Sequence, residues 1–355
     1  METRLISSAQ ALERLAAFDA IIDVRSESEY ALDHIPGAIN CPVLSDVERA
    51  EVGTQYKQIS AFDARRRGAT LVARNIAAHI ESRFADCPRD WKPLVYCWRG
   101  GQRSAALATV MARIGWPVRL LDGGYRAYRR AVVDELTQLP ARFEFRVICG
   151  TTGSGKSLLL QRLEAAGAQV LDLEGLARHR GSVLGGLPRQ PQPPQKAFET
   201  QLWWRLRGFD PTRPVFVESE SRKVGDLRVP DALIDRMRSS SCIRLEMPMP
   251  ARVHLLRTEY LHFERDLPAL FSQLDCLAAL HGLERIEAWK RLAQAGEFEL
   301  LVERLLVEHY DPAYLRSIDR NFQRAAQARV VAVPSGDSGA MDEVAAALLR
   351  EAVNA

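Results

Sequence analysis

The sequence predicts two α/β domains in tandem, each built on a mostly parallel sheet with helices on both faces. Short apolar strands alternate with helical patterns over residues 1–138, and a second series of the same kind occupies residues 139–355. The stretch TQLPARFE (137–144) between them is typical of a linker. A chain of 355 residues with 47% hydrophobic residues is also long enough to bury two cores.

Three apolar segments predict the strands of the first domain, at residues 20–24, 93–97 and 117–123. The stretch SAALATVMARIG (104–115) predicts a helix that ends at Gly115, before a Trp-Pro pair. The order strand, helix, strand favours a parallel sheet.

The second domain shows the same alternation. Its predicted strands lie at residues 143–150, 168–174, 214–220, 242–247 and 329–333. Residues 158–167 predict a helix, and residues 251–327 predict a helical insertion before the last strand. The proline-rich stretch GGLPRQPQPPQ (185–195) predicts a long surface loop.

The composition narrows the class of protein. A net charge of only +3 argues against a purely electrostatic nucleic-acid binder. Arginine outnumbers lysine 42 to 6, which we attribute to coding bias and which leaves RNA binding permitted. No apolar run reaches the length of a membrane span, and the N-terminus lacks the apolar core of a secretory signal. We therefore expect a cytoplasmic protein without a membrane partner and with reduced cysteines.

The stretch VYCWRGGQRS (95–104) places a cysteine between a predicted strand and a predicted helix. The amides of such a loop point inward, and the helix dipole adds positive charge, which together stabilise a thiolate. Gly100 and Gly101 allow a tight turn, and Ser104 is expected to cap the helix. The sequence therefore predicts Cys97 as a nucleophile, the alternative being a structural thiol beside a surface turn. The predicted anion or chalcogen site comprises Trp98, Arg99, Gly100, Gly101, Gln102, Arg103 and Ser104.

This region resembles the rhodanese family of sulfur transferases. The stretch DVRSESEYALDHIPGAINCP (23–42) is similar to the first motif of that family, and LLDGGYRAY (120–128) is similar to its closing motif. The resemblance covers about residues 5–135. It implies that Cys97 carries a chalcogen as a persulfide-like adduct bound by the loop amides.

The loop departs from the family pattern in its length. Rhodaneses have four residues between the cysteine and the arginine, whereas five separate Cys97 from Arg103. The same spacing is found in dual-specificity and arsenate-reducing relatives of the fold. A longer loop makes a wider cradle, so we expect a phosphate-bearing chalcogen donor as the substrate.

A second motif, GTTGSGKS (150–157), fills every fixed position of the phosphate-binding loop called the P-loop. It follows a predicted strand and opens a predicted helix, which is the context that supports this reading. The loop amides and Lys156 are expected to hold phosphates, and Ser157 is expected to ligate Mg²⁺. The predicted phosphate site comprises Gly150, Thr151, Thr152, Gly153, Ser154, Gly155, Lys156 and Ser157.

Other charged residues follow neighbouring predicted strands and are candidates to support this site. Glu218 and Glu220 end one strand, and Asp172 and Glu174 end another; either pair is a candidate for the metal, and solvated strand ends are the alternative. Arg222 and Lys223 come just after the strand that ends at Glu218 and Glu220. We expect this basic pair either to line the site of an anion or to form a charged surface turn.

The two motifs together resemble the bacterial tRNA 2-selenouridine synthase family. Three stretches of the second domain match that family as well, at residues 172–182, 215–225 and 309–314. The resemblance implies replacement of sulfur by selenium in wobble 2-thiouridine of the tRNAs for lysine, glutamate and glutamine. It further implies selenophosphate as donor, geranyl diphosphate as co-substrate, and an S-geranyl intermediate. It implies no tightly bound cofactor, with Mg²⁺ expected only at the P-loop.

Several points stay open at this level. The P-loop is expected to bind geranyl diphosphate, a nucleotide or tRNA phosphate, and the helical insertion is our candidate for contacts to tRNA. Phe198, Trp203 and Trp204 are candidates to stack on a base or hold a prenyl chain, although at least one tryptophan should lie in the core. Two rival functions remain: a phosphatase or arsenate reductase fused to a small-molecule kinase, and a non-enzymatic anion-sensing module.

Overall fold

The computed structural model describes residues 4–354. The chain divides into two compact units. The first runs to Glu135 and includes residues 199–201, and the second comprises Leu136–Phe198 and continues from Leu202.

The first unit is built on a five-stranded parallel sheet. Its strands are β1 (Arg4–Ile6), β2 (Ala20–Asp23), β3 (Ala38–Asn40), β4 (Pro93–Tyr96) and β5 (Arg119–Leu121). Their order is β1-β5-β4-β2-β3, so the strand that leads into Cys97 is the central one. The predicted strands are confirmed, while β1 and β3 add two edges that the apolar pattern did not indicate.

Six helices accompany this sheet. They are α1 (Ser8–Glu13), α2 (Glu27–Leu32), α3 (Asp46–Gln58), α4 (Ala61–Arg83), α5 (Gln102–Ile114) and α6 (Gly124–Leu136). The side chains of Ser45 and Ser60 accept hydrogen bonds from backbone amides and so fix the starts of α3 and α4. Gly115 ends α5 with a φ of +120°, a conformation that favours glycine.

The second unit contains another five-stranded parallel sheet, of order β12-β11-β6-β8-β7. Its strands are β6 (Phe145–Cys149), β7 (Gln169–Leu171), β8 (Val215–Glu218), β11 (Ser241–Glu246) and β12 (Arg329–Ala332). A small antiparallel hairpin, β9 (Lys223–Val224) and β10 (Leu227–Arg228), lies apart from it. The strand that precedes the P-loop is again central, and all five predicted strands are confirmed.

The helices of the second unit fall into two groups. Those that accompany the sheet are α7 (Lys156–Ala165), α8 (Leu173–Ala177), α9 (Gln195–Arg207), α10 (Asp231–Arg238) and α18 (Ser338–Asn354). The predicted insertion is helical throughout, from α11 (Met249–Glu259) to a last short turn at Ala325–Gln327. Between them lie α12 (Leu261–Arg265), α13 (Leu267–Asp275), α14 (Ala278–His281), α15 (Leu283–Gln294), α16 (Phe298–Leu305), a π-helix (Leu306–Tyr310) and α17 (Asp311–Asn321).

Each group of helices buries its own apolar surface. Ile148, Leu160 and Phe216 belong to the core beneath the second sheet. Leu274, Ile286 and Trp289 belong to a separate core inside the insertion. The insertion is therefore a small helical layer with its own interior rather than a loose lid. No helix among residues 4–354 is both long and apolar enough to cross a bilayer.

Candidate active sites

Cys97 is the first residue after the central strand of the first sheet. Its thiol is only 3% exposed, and the Ser104 hydroxyl lies 3.1 Å from Sγ as a hydrogen-bond donor. No acceptor among the described residues takes a hydrogen bond from the backbone amides of residues 98–103. The loop therefore presents unused donors beside the sulfur, as an anion site requires.

The turn that follows depends on glycine. Gly100 has a φ of +69°, and a Cβ there would lie 2.9 Å from the carbonyl oxygen of Leu121. Gly124 lies even closer to the loop backbone, because a Cβ added there would lie 2.3 Å from the carbonyl oxygen of Cys97. The amide of Tyr125 donates to that same carbonyl over 2.8 Å. The closing motif of the first unit thus packs directly against the backbone of the cysteine loop, and only glycine fits at the closest contact.

One detail of the loop was predicted wrongly. Helix α5 begins at Gln102 with Gly101 at the N-cap position, so Ser104 does not cap it. The sharp turn at Gly100 places the N-cap at Gly101, three residues earlier than expected. Ser104 is consequently free to point inward, where its hydroxyl contacts Cys97 and the Gly101 carbonyl oxygen at 3.2 Å.

The two arginines of the loop have different surroundings. Arg103 forms an ion pair with Glu29, with a distance of 2.8 Å between Nη1 and Oε2. Burial opposes ionisation of Glu29, but the hydrogen bond and charge of Arg103 outweigh it and lower the pKa of that carboxyl. Arg99 and Gln102 are exposed, and Trp98 stacks on Tyr125 with ring centroids 5.3 Å apart. Arg99 is thus the loop arginine that is open to an incoming anion.

The P-loop lies between the central strand of the second sheet and α7. Gly150, Gly153 and Gly155 all have positive φ, which the tight wrap of this loop requires. The amides of residues 151–153 and 155–157 donate to no acceptor within the described part of the chain. The Lys156 ammonium donates instead to the carbonyl oxygen of Gly150 at 2.7 Å. The loop therefore has unused backbone donors, as a phosphate-binding loop requires.

A cavity of about 520 Å³ opens over this loop within the second unit. Of the predicted residues, Thr152, Gly153, Gly155, Lys156, Ser157, Asp172 and Glu220 line it. Glu174 lines it as well and accepts a hydrogen bond of 2.8 Å from the Ser157 hydroxyl. Gly150, Thr151 and Ser154 complete the loop beneath it, Ser154 fully buried.

Four carboxyl groups meet beside the P-loop. Burial raises the pKa of Glu218 well above its ordinary value, and the neighbouring charges of Asp172 and Glu174 act in the same direction. Burial and Glu174 likewise raise the pKa of Glu220, to about 8. Burial also raises the pKa of Asp172, whose side chain accepts from the Gly175 amide. The cluster therefore holds less negative charge than its four acids suggest.

The residues beside the P-loop fit a magnesium ion. The Ser157 hydroxyl and the Glu174 carboxylate are oxygen ligands of the kind Mg²⁺ prefers, and phosphates would complete its shell. Glu218 Oε2 is buried and has no hydrogen-bond partner in the described part of the chain, so a cation nearby would relieve it. Within residues 4–354, no three His, Cys, Asp or Glu side chains are placed to hold a metal by themselves.

Two of the predicted supporting residues lie elsewhere. Arg222 and Lys223 are exposed, do not line the cavity, and belong to the small hairpin region. Arg222 lies 3.5 Å from Asp231. The aromatic trio is also divided, because Phe198 and Trp203 are fully buried in the fold while Trp204 is 45% exposed. These aromatic side chains therefore do not form a common pocket.

Sequence reasoning missed the residues that hold the P-loop from the insertion. The Tyr314 hydroxyl accepts a hydrogen bond of 2.6 Å from the Gly150 amide and lies 3.0 Å from the Ser219 hydroxyl. Its ring faces Lys156, with 5.3 Å between the ammonium and the ring centroid. Arg180 also lines the cavity, with its guanidinium 4.6 Å from the centre of the Tyr260 ring. The match of residues 172–182 and 309–314 to a known family indicated both positions, and Arg180 also belongs to the basic run at residues 178–180.

The geometry defines a class: a rhodanese-like domain followed by a P-loop domain. A family model described as "Rhodanese-like domain" matches residues 7–131, and one described as "tRNA 2-selenouridine synthase AAA domain" matches residues 143–278.

Similar proteins agree over most of the chain. The tRNA 2-selenouridine synthase of Nitrosomonas europaea is 30% identical over 345 residues, 84% of this chain and 89% of the relative. That of Bdellovibrio bacteriovorus is 32% identical over 348 residues, with the same two coverages. That of Nitrosomonas eutropha is 35% identical over 263 residues, 72% of this chain and 66% of the relative. The chain belongs to the tRNA 2-selenouridine synthase family.

Proposed function

We propose that the chain replaces the sulfur of wobble 2-thiouridine by selenium in the tRNAs for lysine, glutamate and glutamine. Selenophosphate is the selenium donor, and the sulfur is first alkylated from geranyl diphosphate to S-geranyl-2-thiouridine. The names of the similar proteins support tRNA selenation. The observation that carries the proposal is the presence of two separate anion loops, each with unused backbone donors and one chemically distinct side chain. Because its substrate is tRNA, we place the reaction in the cytoplasm.

Alkylation is assigned to the P-loop. The thiocarbonyl sulfur of 2-thiouridine attacks C1 of geranyl diphosphate, the C1–O bond breaks, and diphosphate leaves with the electron pair. The N3 proton of the base is released to solvent, which leaves a neutral product. The loop amides and Lys156 neutralise the charge that develops on this leaving group, which lowers the barrier. Ser157 and Glu174 would hold Mg²⁺, which supplies further charge neutralisation when it is bound.

Selenium transfer is assigned to the loop of Cys97. Selenophosphate is held beside Cys97 by the amides of residues 98–103, and its selenium attacks C2 of S-geranyl-2-thiouridine. The C2–S bond breaks, and geranylthiolate leaves with the electron pair and takes the proton of the Cys97 thiol. Water then cleaves the Se–P bond, which gives 2-selenouridine and phosphate. Selenophosphate is tetrahedral and suits a loop one residue longer than that of rhodaneses. Ser104 donates a hydrogen bond to Cys97 Sγ and so holds the sulfur in position. Arg99, which is exposed, meets the phosphate part of the donor.

Nucleoside mass spectrometry tests the proposed function. Thiolated tRNA is incubated with the protein and Mg²⁺, with geranyl diphosphate, selenophosphate, both or neither. We expect S-geranyl-2-thiouridine with geranyl diphosphate alone and 2-selenouridine with both substrates. Unchanged 2-thiouridine in every reaction would contradict the proposal. Release of inorganic phosphate from a phosphate ester would instead support the phosphatase alternative.

A further inference from the structure

A second cavity lies beside the one above the P-loop and is lined mostly by the helical insertion. Fifteen residues line it, and nine of them are Leu, Val or Phe. Thr152 of the P-loop, Ser182, Leu256, Tyr260 and Tyr310 line both cavities. The two cavities therefore share walls beside the loop, and we call the inner one the apolar chamber.

The polar groups at the apolar chamber offer little to a nucleotide base. Arg257 donates to Glu264 over 3.0 Å and to Glu299 over 2.6 Å, so its charge is paired. The Tyr310 hydroxyl is buried there without a hydrogen-bond partner in the described part of the chain. Leu301, Leu305 and Leu306 are 4% exposed or less and present only hydrocarbon. A base or ribose placed there would replace few of its hydrogen bonds to water. A hydrocarbon chain would gain from the same walls.

From this arrangement we infer that the apolar chamber binds the hydrocarbon tail of a prenyl diphosphate whose diphosphate lies on the P-loop. The inference rests on the proposed function, because the alkylation uses such a donor. It assigns the prenyl pocket to the helical insertion rather than to Phe198, Trp203 and Trp204. It also selects among the three ligands left open for the P-loop, since neither a nucleoside nor tRNA phosphate has a tail to place there.

The size of the apolar chamber sets the expected chain length. Its volume of about 70 Å³ has room for roughly five to seven water-sized groups. This suits one five-carbon isoprene unit. The allylic unit, which carries the diphosphate, then lies near Thr152 and Tyr260, which line both cavities. A ten-carbon donor fills both places, a five-carbon donor leaves the chamber unfilled, and a fifteen-carbon donor has one unit too many.

Leu301 and Leu300 provide a matched pair of variants. Both are on α16, but Leu301 lines the chamber while Leu300 is 38% exposed on the other face. Leu301→Phe should fill the chamber, and Leu300→Phe adds the same bulk outside it. Phe298→Ala changes the chamber in the opposite direction, by enlarging it at a half-buried position that tolerates truncation more easily.

Calorimetric titration with Mg²⁺ tests the inference on the full chain, using inorganic, dimethylallyl, geranyl and farnesyl diphosphates. In the wild-type protein we expect geranyl diphosphate to bind at least tenfold more tightly than inorganic diphosphate. Leu301→Phe should remove most of that preference and leave inorganic diphosphate unchanged, and Leu300→Phe should match the wild type. Phe298→Ala should raise the affinity for the farnesyl compound relative to the geranyl one.

The outcomes separate the two proposals. Equal affinity for inorganic and geranyl diphosphate in the wild type would overturn the inference. The inference would also be overturned if Leu301→Phe weakened inorganic and geranyl diphosphate equally and Phe298→Ala left the chain-length preference unchanged. If the preference for geranyl diphosphate and its response to the variants are found but thiolated tRNA is never geranylated, the inference about the chamber is confirmed and the proposed function is wrong. If tRNA is geranylated with a chain-length preference that no variant alters, the proposed function is confirmed and the inference about the chamber is wrong.

Discussion

The guanidinium of Arg252 donates two hydrogen bonds, of 2.8 and 2.9 Å, to the carbonyl oxygen of Thr152 in the P-loop. The same group forms a bidentate pair with Asp311, at 2.5 and 3.0 Å. Arg252 begins the helical insertion and Asp311 lies near its end, immediately after the π-helix. One buried arginine therefore ties the conformation of the phosphate loop to both ends of the insertion.

Arg252→Met should weaken both the fold and the loop. The substitution leaves Asp311 without its cation. We expect the free energy of unfolding to fall by about 3 kcal/mol, the lower end of the range for a buried ion pair, because Asp311 is one-fifth exposed. Chemical unfolding measures this loss. Calorimetry should show inorganic diphosphate binding weakened about tenfold. Adding Asp311→Asn should restore part of the stability but none of the affinity; recovery of both would show that Arg252 acts through stability alone.

Tyr314→Phe removes the acceptor of the Gly150 amide while keeping the ring that faces Lys156. A buried amide without a partner costs about 1–3 kcal/mol, so the free energy of unfolding should fall by that amount. The Michaelis constant for geranyl diphosphate should rise, while selenation of tRNA that is already geranylated keeps its rate. A loss of the second activity of equal size would mean that Tyr314 does not act on the P-loop alone.

The sequence was a good guide to the frame of both sites and a poor guide to what supports them. Apolar runs bounded by Gly and Pro predicted the central strands, and the glycine patterns predicted the two loops after them. The contact between Arg252 and Thr152 joins residues that are 100 positions apart. Local sequence patterns cannot predict a contact between residues so far apart in the chain. The apolar chamber was hidden for a related reason, since its leucines have the same helical spacing as ordinary core residues.

Glu220 should give stability a distinctive dependence on pH. Its pKa is about 8 in the fold, above the ordinary value of 4.5, so between these values the folded state binds more protons than the unfolded one. Its contribution is therefore present at low pH and lost as pH rises toward 8. Without Mg²⁺, the melting temperature of Glu220→Gln should exceed that of the wild type more at pH 8 than at pH 5. A difference independent of pH would rule out this titration.

Ser104→Ala tests the hydrogen bond to Cys97. A typical hydrogen bond contributes about 0.5–1.5 kcal/mol, which corresponds to a loss of roughly 2-fold to 12-fold in the rate of reaction at Cys97. Alkylation by iodoacetamide should show the slower rate, and selenation should fall in parallel. Geranylation serves as the internal control and should be unchanged. Normal iodoacetamide reactivity in this variant would leave Ser104 with a packing role only.

The central claim is a division of labour between the two anion loops, alkylation at Lys156 and selenium transfer at Cys97. The most direct measurement assays Cys97→Ser and Lys156→Ala separately, by nucleoside mass spectrometry, for geranylation of thiolated tRNA and for selenation of tRNA geranylated beforehand. We predict that Cys97→Ser geranylates normally and does not selenate, whereas Lys156→Ala selenates normally and does not geranylate. Selenation of geranylated tRNA at the normal rate by Cys97→Ser, or equal loss of both activities in Lys156→Ala, would contradict the account.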